Sequence, residues 1–403
     1  MINNTPDIVI AGGGIAGMLA ALTLGNKGFS ILCVDPAPPI TDATADGSDL
    51  RSTAFLQPAI SLFKEVGFWE RLAPFAAPLD VMRLVDAGGP DGLPRTTRDF
   101  VATDMGRESF GYNFPNWLLL REMVAALAAR PEISFLPGTS LKDILVRSAE
   151  ARVMLSDGTR VSAPLVIGAD GRNSRVRELS NISASTTRYG QKAIVFAVSH
   201  DQPHENVSTE VHQTGGPFTL VPLPDDEVGT HCSAVVWMET GPEALRLFDL
   251  PDEAFADAAT KRSAGVLGGL TLASARRIWP IITQVADAMT APRAALIAEA
   301  AHVMPPIGAQ GLNMSLRDLS ELAKLLETAR DTGQDLGDHS VLEGYAHARR
   351  SDIDLRLLGV DLLNRAAMTD IQPLMDLRRR GLEALHDVRP IRQTAMRLGL
   401  GAR

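Results

Sequence analysis

Three glycines and one acid carry the first chemical signal. Gly12, Gly14 and Gly17 stand in G-x-G-x-x-G order between the apolar run "DIVIA" and the helix-forming run "MLAALTLGNKG". Each glycine has its own reason. The first permits the bend, the second lets backbone approach a pyrophosphate, and the third lets helix pack closely on strand. The N–H groups of the first helical turn, at Ile15 and Ala16 among others, lack partners inside the helix and point at the phosphates. Asp35 closes the strand "SILCVD", at the distance of about 20 residues where an acid reaches adenosine ribose hydroxyls. A glycine turn alone is an ordinary tight loop. Strand, helix and acid in register make it a dinucleotide site.

Two further stretches are chemically unusual. "GADGRNSRVR", Gly168 to Arg177, follows the apolar strand "PLVI" and places Asp170-Gly171 at its end, with Asn173 or Ser174 opening the next helix. Read alone, it is an Asp-Gly turn with a capping serine. "LIAEAAHVMPPIGAQGLNMSLRD", Leu296 to Asp318, brings an apolar strand into Glu299, at the strand end where α/β sheets bind ligands. Pro305 and Pro306 stiffen the backbone beyond it. Gly308 and Gly311 remove side chains where a flat ring could lie against the main chain. The pattern predicts a helix from near Asn313, burying Leu316, Leu319, Ala323 and Leu326. Nothing pairs His302 with a nucleophile, so it is read as a packing or hydrogen-bonding residue.

The elements that must hold these stretches follow from hydrophobic spacing. The chain has 403 residues, enough for two or three domains, and its 45% hydrophobic content supports a sizeable core. "QPAISLFKEVGFWERL" is read as one helix with Ile60, Phe63 and Val66 on its apolar stripe. Segments "AIVFAVS", "FTLVPL" and "CSAVVW" alternate as strands do. Helix–strand units at both ends of a β-rich middle predict one nucleotide-binding α/β domain interrupted by a second sheet. The expected division assigns 1–71, 113–181 and 276–350 to the first and 72–112 and 182–275 to the second, with a helical segment at 351–403. A net charge of −9 argues against a nucleic-acid surface, and the two cysteines against a Cys-based metal site. The opening "MINNTPDIVIAG" lacks the pattern of an export signal, and no apolar run is long enough to span a bilayer. The expectation is a cytoplasmic protein.

Taken together, the three stretches resemble the single-component flavoprotein aromatic hydroxylases, and within them the ubiquinone-biosynthesis hydroxylases. That family pairs G-x-G-x-x-G with D-G-x-x-S-x-x-R, here Asp170 to Arg177, and with G-D-A-A-H followed by P-x-x-G-Q-G-L-N and Arg-Asp. The resemblance extends to "RSTAF" near 51, "FTLVPL" near 218 and "YAHARRSD" near 345. It implies a Rossmann-like FAD-binding domain interrupted by a β-sheet substrate domain. Gly12, Gly14 and Gly17 would cradle the FAD pyrophosphate and Asp35 the adenosine ribose. Arg51 and Arg121 would lie along the phosphates and ribityl chain. Asp170 would sit by the pyrophosphate and the approach of the reducing nucleotide, and Glu299 would bind a ribityl hydroxyl. Pro306, Gly308, Gly311, Leu312 and Asn313 would frame the isoalloxazine. In the family, NADH or NADPH reduces FAD, and O2 then forms a flavin hydroperoxide that hydroxylates a phenol ring. No catalytic side chain is assignable; His204, His212 and His231 are read as surface or strand residues.

Two positions depart from the family pattern. Ala298-Glu299 replaces Gly-Asp, lengthening the acid by a methylene, and Ala309 replaces the first glycine of G-Q-G. The alanine is expected at negative φ, with Gly308 taking the special conformation. Residues 376–403 hold seven arginines against three acids, and Leu362, Leu363, Ala366 and Ile371 precede them. That pattern suits peripheral contact with the inner face of an anionic membrane, a lipid-carrying partner protein, or simple packing on the core. The substrate implied is a prenylated phenol. The oligomeric state stays open, as do a soluble-phenol hydroxylase and a catalytically silent flavin-fold subunit of a membrane-associated complex.

Overall fold

The computed structural model describes residues 5–49, 51–89, 91–225 and 229–400. Its organising strand, Ile8–Ala11, is buried along its whole length between two parallel strands, Ile31–Asp35 and Leu165–Gly168. A strand covered on both faces reads as an unbroken apolar run, which is why "IVIA" shows no alternation. The sheet runs in the order Thr290–Ala291, Ala294–Leu296, Leu165–Gly168, Ile8–Ala11, Ile31–Asp35, Ile133–Pro137. Only its outermost pair, Thr290–Ala291 with Ala294–Leu296, is antiparallel. Helices Ile15–Asn26, Asn116–Ala128 and Gln310–Asp331 pack on it through Leu19, Leu22, Met123, Leu319 and Leu326, all in one core.

A second, nine-stranded sheet carries the middle of the chain. Its longest strand, Ala184–His200, is flanked by Arg277–Ala286 and Cys232–Thr240. The other end of the sheet is the hairpin Val81–Asp86 and Thr96–Val101. Here successive side chains go to opposite faces, and the two faces meet different partners. Ile194, Phe196 and Val198 pack under helices Gly241–Phe248 and Asp252–Arg262. Ala193, Val195, Met238 and Ile281 instead face Ile307 and Val360.

Two expectations shift. The strand Arg277–Ala286 and the short His302–Val303 belong to this larger sheet, so it runs past the boundary expected at 275. The helix expected across Gln57 to Leu72 is two helices, Gln57–Glu65 and Trp69–Leu72, because Gly67 takes a left-handed φ of 66° between them. Ile60, Phe63 and Val66 are nevertheless buried together. The C-terminal part is helical as expected, in helices His339–Met368, Gln372–Asp387 and Arg389–Leu400.

One buried carboxylate fastens the rear of the nucleotide-binding domain. Asp318, fully buried on helix Gln310–Asp331, accepts from the Ala298 N–H at 3.2 Å and from Arg349 Nε at 2.8 Å. His302 Nε2 lies 2.5 Å from the same group. Arg349 comes from the long helix, so three elements converge on one charge. Removing one member strands the others without water, which costs about 3–5 kcal/mol. Asp318→Ala is therefore expected to lower the stability of the nucleotide-binding domain by that order, read as a fall in the urea midpoint followed by circular dichroism.

Candidate active site

The three motifs stand at the C-terminal ends of three adjacent parallel strands: Ile8–Ala11, Leu165–Gly168 and Ala294–Leu296. Close backbone contact locks the first to the second. Gly12 has φ 115°, and a Cβ there would lie 2.3 Å from Ala169 O; a Cβ on Gly17 would lie 1.8 Å from Gly12 O. Neither glycine can carry a side chain unless the fold shifts. Gly14 differs, since a Cβ there meets no protein atom within 4 Å. It faces open space at the start of helix Ile15–Asn26, which has no side-chain cap. Ile15 and Ala16 are half-exposed beside it. This is a cradle suited to phosphate: free N–H groups, a helix N-terminus and no side chain in the way.

Asp35 lies at the expected strand end. Its carboxylate accepts from the Gly13 N–H at 2.6 Å and the Ala37 N–H at 2.9 Å, so it also fixes the glycine turn. Asp170 accepts from the N–H groups of Arg175 (2.7 Å) and Val176 (3.1 Å) through one oxygen. Its other oxygen is buried without a partner among the described residues. Ser174 caps its helix through the Arg177 N–H at 3.0 Å. Arg177 donates to Ala300 O at 2.8 Å and to Arg172 O, tying the second motif to the third.

Glu299 sits exposed in the turn Ala298–Ala300, directly after the strand that delivers it. Its negative charge acts on Arg51, whose guanidinium pairs bidentately with Asp49 at 2.7 Å and lies 5.3 Å from the Trp279 ring. Burial pushes the Asp49 carboxyl up, but hydrogen bonds from Arg51 and Asn116 outweigh it and hold the pKa below its ordinary value. The pair therefore persists above the ordinary carboxylate range of about pH 4 and is lost as pH falls through the lowered value. Arg121 is placed otherwise. It stacks near Phe75 and Trp117, at 5.3 and 5.4 Å, and donates to Glu122. Arg51 lies within electrostatic reach of Glu299 while paired with Asp49; no bond joins Arg121 to the glycine turn among the described residues.

The ring-side turn departs from expectation at its alanines and its helix start. Helix Gln310–Asp331 begins at Gln310 rather than near Asn313, with no side-chain cap. Ala309 takes the left-handed conformation at φ 54°, beside Gly308 at φ 62°, so the expected negative φ is wrong. Ala298 is left-handed too, at φ 56°. Both alanines thus hold backbone shapes that glycine adopts freely, where Asp318 grips the Ala298 N–H, Asn313 holds Ala309 O, and Ile307 packs against the larger sheet. Gly311 has open space where a Cβ would stand, and Pro306 is exposed beside half-exposed Leu312. Asn313 ties the ring-side turn to the strand that follows Arg51. It donates to Ala309 O at 2.7 Å and to Ala54 O at 2.8 Å, and accepts from the Leu56 N–H at 2.9 Å.

Sequence spacing pointed to neither Asp49, Asn116, Trp279 nor Arg349. Trp279 reaches Arg51 and Arg172 only through sheet pairing, and no local pattern marks such a residue. His204 and His231 pack around the mostly buried His200, and His212 ends the strand Val207–His212. None of these reaches the three motifs through a described bond.

Two uncapped helix starts, an exposed acid with no hydrogen-bond partner among the described residues and one buried orphan carboxylate oxygen, set at neighbouring strand ends, fit FAD. The chain matches the family of FAD-binding domains over residues 5–354. The solved structure of p-nitrophenol 4-monooxygenase from Pseudomonas putida superposes with a TM-score of 0.80 at 16% identity, covering 100% of both chains. PqsL of Pseudomonas aeruginosa does so at 0.76 and 20%, covering 93% of this chain and all of its own. At such identities these structures speak for the fold. This is an FAD-dependent aromatic-ring monooxygenase. Among curated proteins, the ubiquinone hydroxylase UbiL of Rhodospirillum rubrum is 33% identical over 98% of this chain and 89% of its own length. The 3-demethoxyubiquinol 3-hydroxylase of Escherichia coli is 26% identical across all of both chains. The chain belongs to the ubiquinone-biosynthesis hydroxylase family.

Three expected outcomes follow. Gly14→Val should fold normally, since its Cβ meets nothing, yet lose bound flavin absorbance; Glu299→Ala should weaken FAD binding about tenfold, the size of one lost hydrogen bond. Ala298→Gly and Ala309→Gly should each stabilise the protein by roughly 0.5–1 kcal/mol, relief of left-handed strain less the added freedom of the unfolded chain. Thermal unfolding of the single and double variants measures this.

Proposed function

We propose that this chain hydroxylates the aromatic ring of a prenylated phenol in ubiquinone biosynthesis, using NADH or NADPH as reductant and O2 as oxidant. The observation that carries the reading is the meeting of three motifs at neighbouring strand ends, with a glycine cradle at one helix start and an open, uncapped helix start at the other. Bound there, FAD supplies hydride acceptance and oxygen transfer. The chain's own residues do the rest. The turn at Gly12 to Gly17 takes the pyrophosphate, and Asp35, while fixing that turn, stands where the adenosine ribose would be held. Arg51 and Glu299 flank the middle of the crevice with opposite charges. The first N–H groups of helix Gln310–Asp331 favour negative charge on a ring placed against them. Ala193, Val195, Met238 and Ile281 face the ring-side turn as an apolar wall that excludes water.

The relatives named for ubiquinone chemistry support the substrate class. Incubation of the FAD-loaded protein with a polyprenyl phenol, NADPH or NADH, and O2 is expected to add one oxygen atom to the ring, seen by mass spectrometry. Reductant consumption without a hydroxylated product would overturn the reading.

The same reading extends to the source of the substrate. Leu355, Leu358, Leu362 and Leu363 on the long helix are 57–63% exposed, and Ile371, Leu374 and Leu377 continue the apolar surface. Arg380, Arg389 and Arg397 are exposed and without an ion-pair partner among the described residues. Leucines beside free arginines suit the headgroup zone of an anionic bilayer. No helix of the described residues is long and apolar enough to cross one. Flotation with vesicles should therefore require anionic lipid, and Leu358→Glu with Leu362→Glu should abolish it without loss of flavin.

A further inference from the structure

The end of the chain covers an apolar trough beside the ring-side turn. Its floor is Leu56, Ala102 and Phe110, and its wall is Met82, Leu84, Phe100 and Met105. Leu56 joins the trough to the site directly, because its N–H is held by Asn313. What fills the trough is Met396 of helix Arg389–Leu400, with Leu382 and Leu385 of the helix before it. The same cover reaches the ring-side turn, where Gln310 donates to Gly399 O at 2.8 Å.

The attachment of this cover is uneven. Its near end is firm: buried Asp86 takes Arg378 at 3.2 Å and Arg95 at 2.6 Å, and Met375 is buried beside them. Its far end is weak. Beyond Asp387, Met396 is the one fully buried apolar side chain among the described residues. Besides the Gln310 bond to Gly399 O, the ties among the described residues are at the rim: ion pairs of Arg98 to Asp387 at 3.0 Å and Arg392 to Asp104 at 3.3 Å, Thr96 donating to Glu383 at 3.0 Å, and His386 bonded to Asp99 O. Half-exposed pairs of this kind contribute little and are screened by salt. Unbranched methionines adapt to an irregular apolar guest better than branched side chains do.

We propose that residues 382–400, the end of helix Gln372–Asp387 together with helix Arg389–Leu400, form a lid pivoting on the Asp86–Arg378 anchor, and that the trough beneath it receives the substrate's prenyl tail, for which Met396, Leu382 and Leu385 hold the place. The inference rests on the prenylated-phenol reading. It makes the tail, rather than the ring, the group that opens the lid.

Hydrogen exchange of the FAD-loaded, full-length protein tests it, with a phenol bearing a short polyprenyl tail and the same phenol without one. The tailed phenol should speed exchange in 382–400 while 82–105 stays protected; the tailless one should change neither. Arg98→Asp with Arg392→Asp, both at the rim, should open the lid roughly tenfold more often. That variant should change KM for the tailed phenol and leave KM and kcat for the tailless one unaltered. Equal responses to both phenols, or hydroxylation of the tailed phenol with an unmoved lid, would overturn the tail site and leave the hydroxylase reading standing. A lid that responds only to the tail, without turnover of either phenol, would do the reverse. No response and no turnover would overturn both.

Discussion

The rear half of the site depends on a charge that cannot be hydrated. Asp318 is enclosed by the Ala298 N–H and His302 from the turn after the third motif's strand and by Arg349 from the long helix, so three pieces of chain, its own helix included, meet at one charge. An ionised carboxylate buried with this many donors is held by hydrogen bonds rather than by water, so the surrounding pieces have little freedom to part. The turn bearing Glu299 starts at Ala298, and the helix that faces the ring carries Asp318 itself. Fixing one fixes the other. The left-handed conformations of Ala298 and Ala309 make sense on the same terms. Local strain of about 1–2 kcal/mol per residue survives where stronger bonds dictate the backbone path.

At the front, geometry replaces charge. Gly12 and Gly17 touch main chain where any side chain would collide, and Gly14 alone looks outward. The three glycines of one motif thus have two structural duties and one ligand-facing duty. Arg177 shows a similar division. Its guanidinium serves two backbone carbonyls, from the second and third motifs, and aligns the strand ends that carry Asp170 and Glu299.

Much of this was legible from residue order. The buried strand "IVIA", the cradle glycines, Asp35, the Ser174 cap and the stripe Leu316, Leu319, Ala323, Leu326 follow from period, propensity and turn chemistry, which are local. What stayed hidden was set by distant pairing. Arg277–Ala286 reads as a strand in either domain, and only its register with Ala184–His200 assigns it to the larger sheet. Ala309 and Ala298 gave no hint of their φ, since alanine prefers the opposite region and tertiary bonds overrule it. Arg121 and Asn313 were placed by motif position, whereas ring stacking and a backbone grip decide what their side chains touch.

The insertion of one sheet into another also governs how the molecule is made. Strand Ala294–Leu296 must find Leu165–Gly168 across a segment that folds into the nine-stranded body, and Arg349 must then reach Asp318. During synthesis the nascent chain exposes its glycine turn early but lacks the acid and the rear helix until most of it has left the ribosome. Cofactor loading is thereby confined to the nearly finished polypeptide, and the long-range pairing makes that last assembly slow. Until it closes, the edge of the central sheet lies open to pairing with other chains.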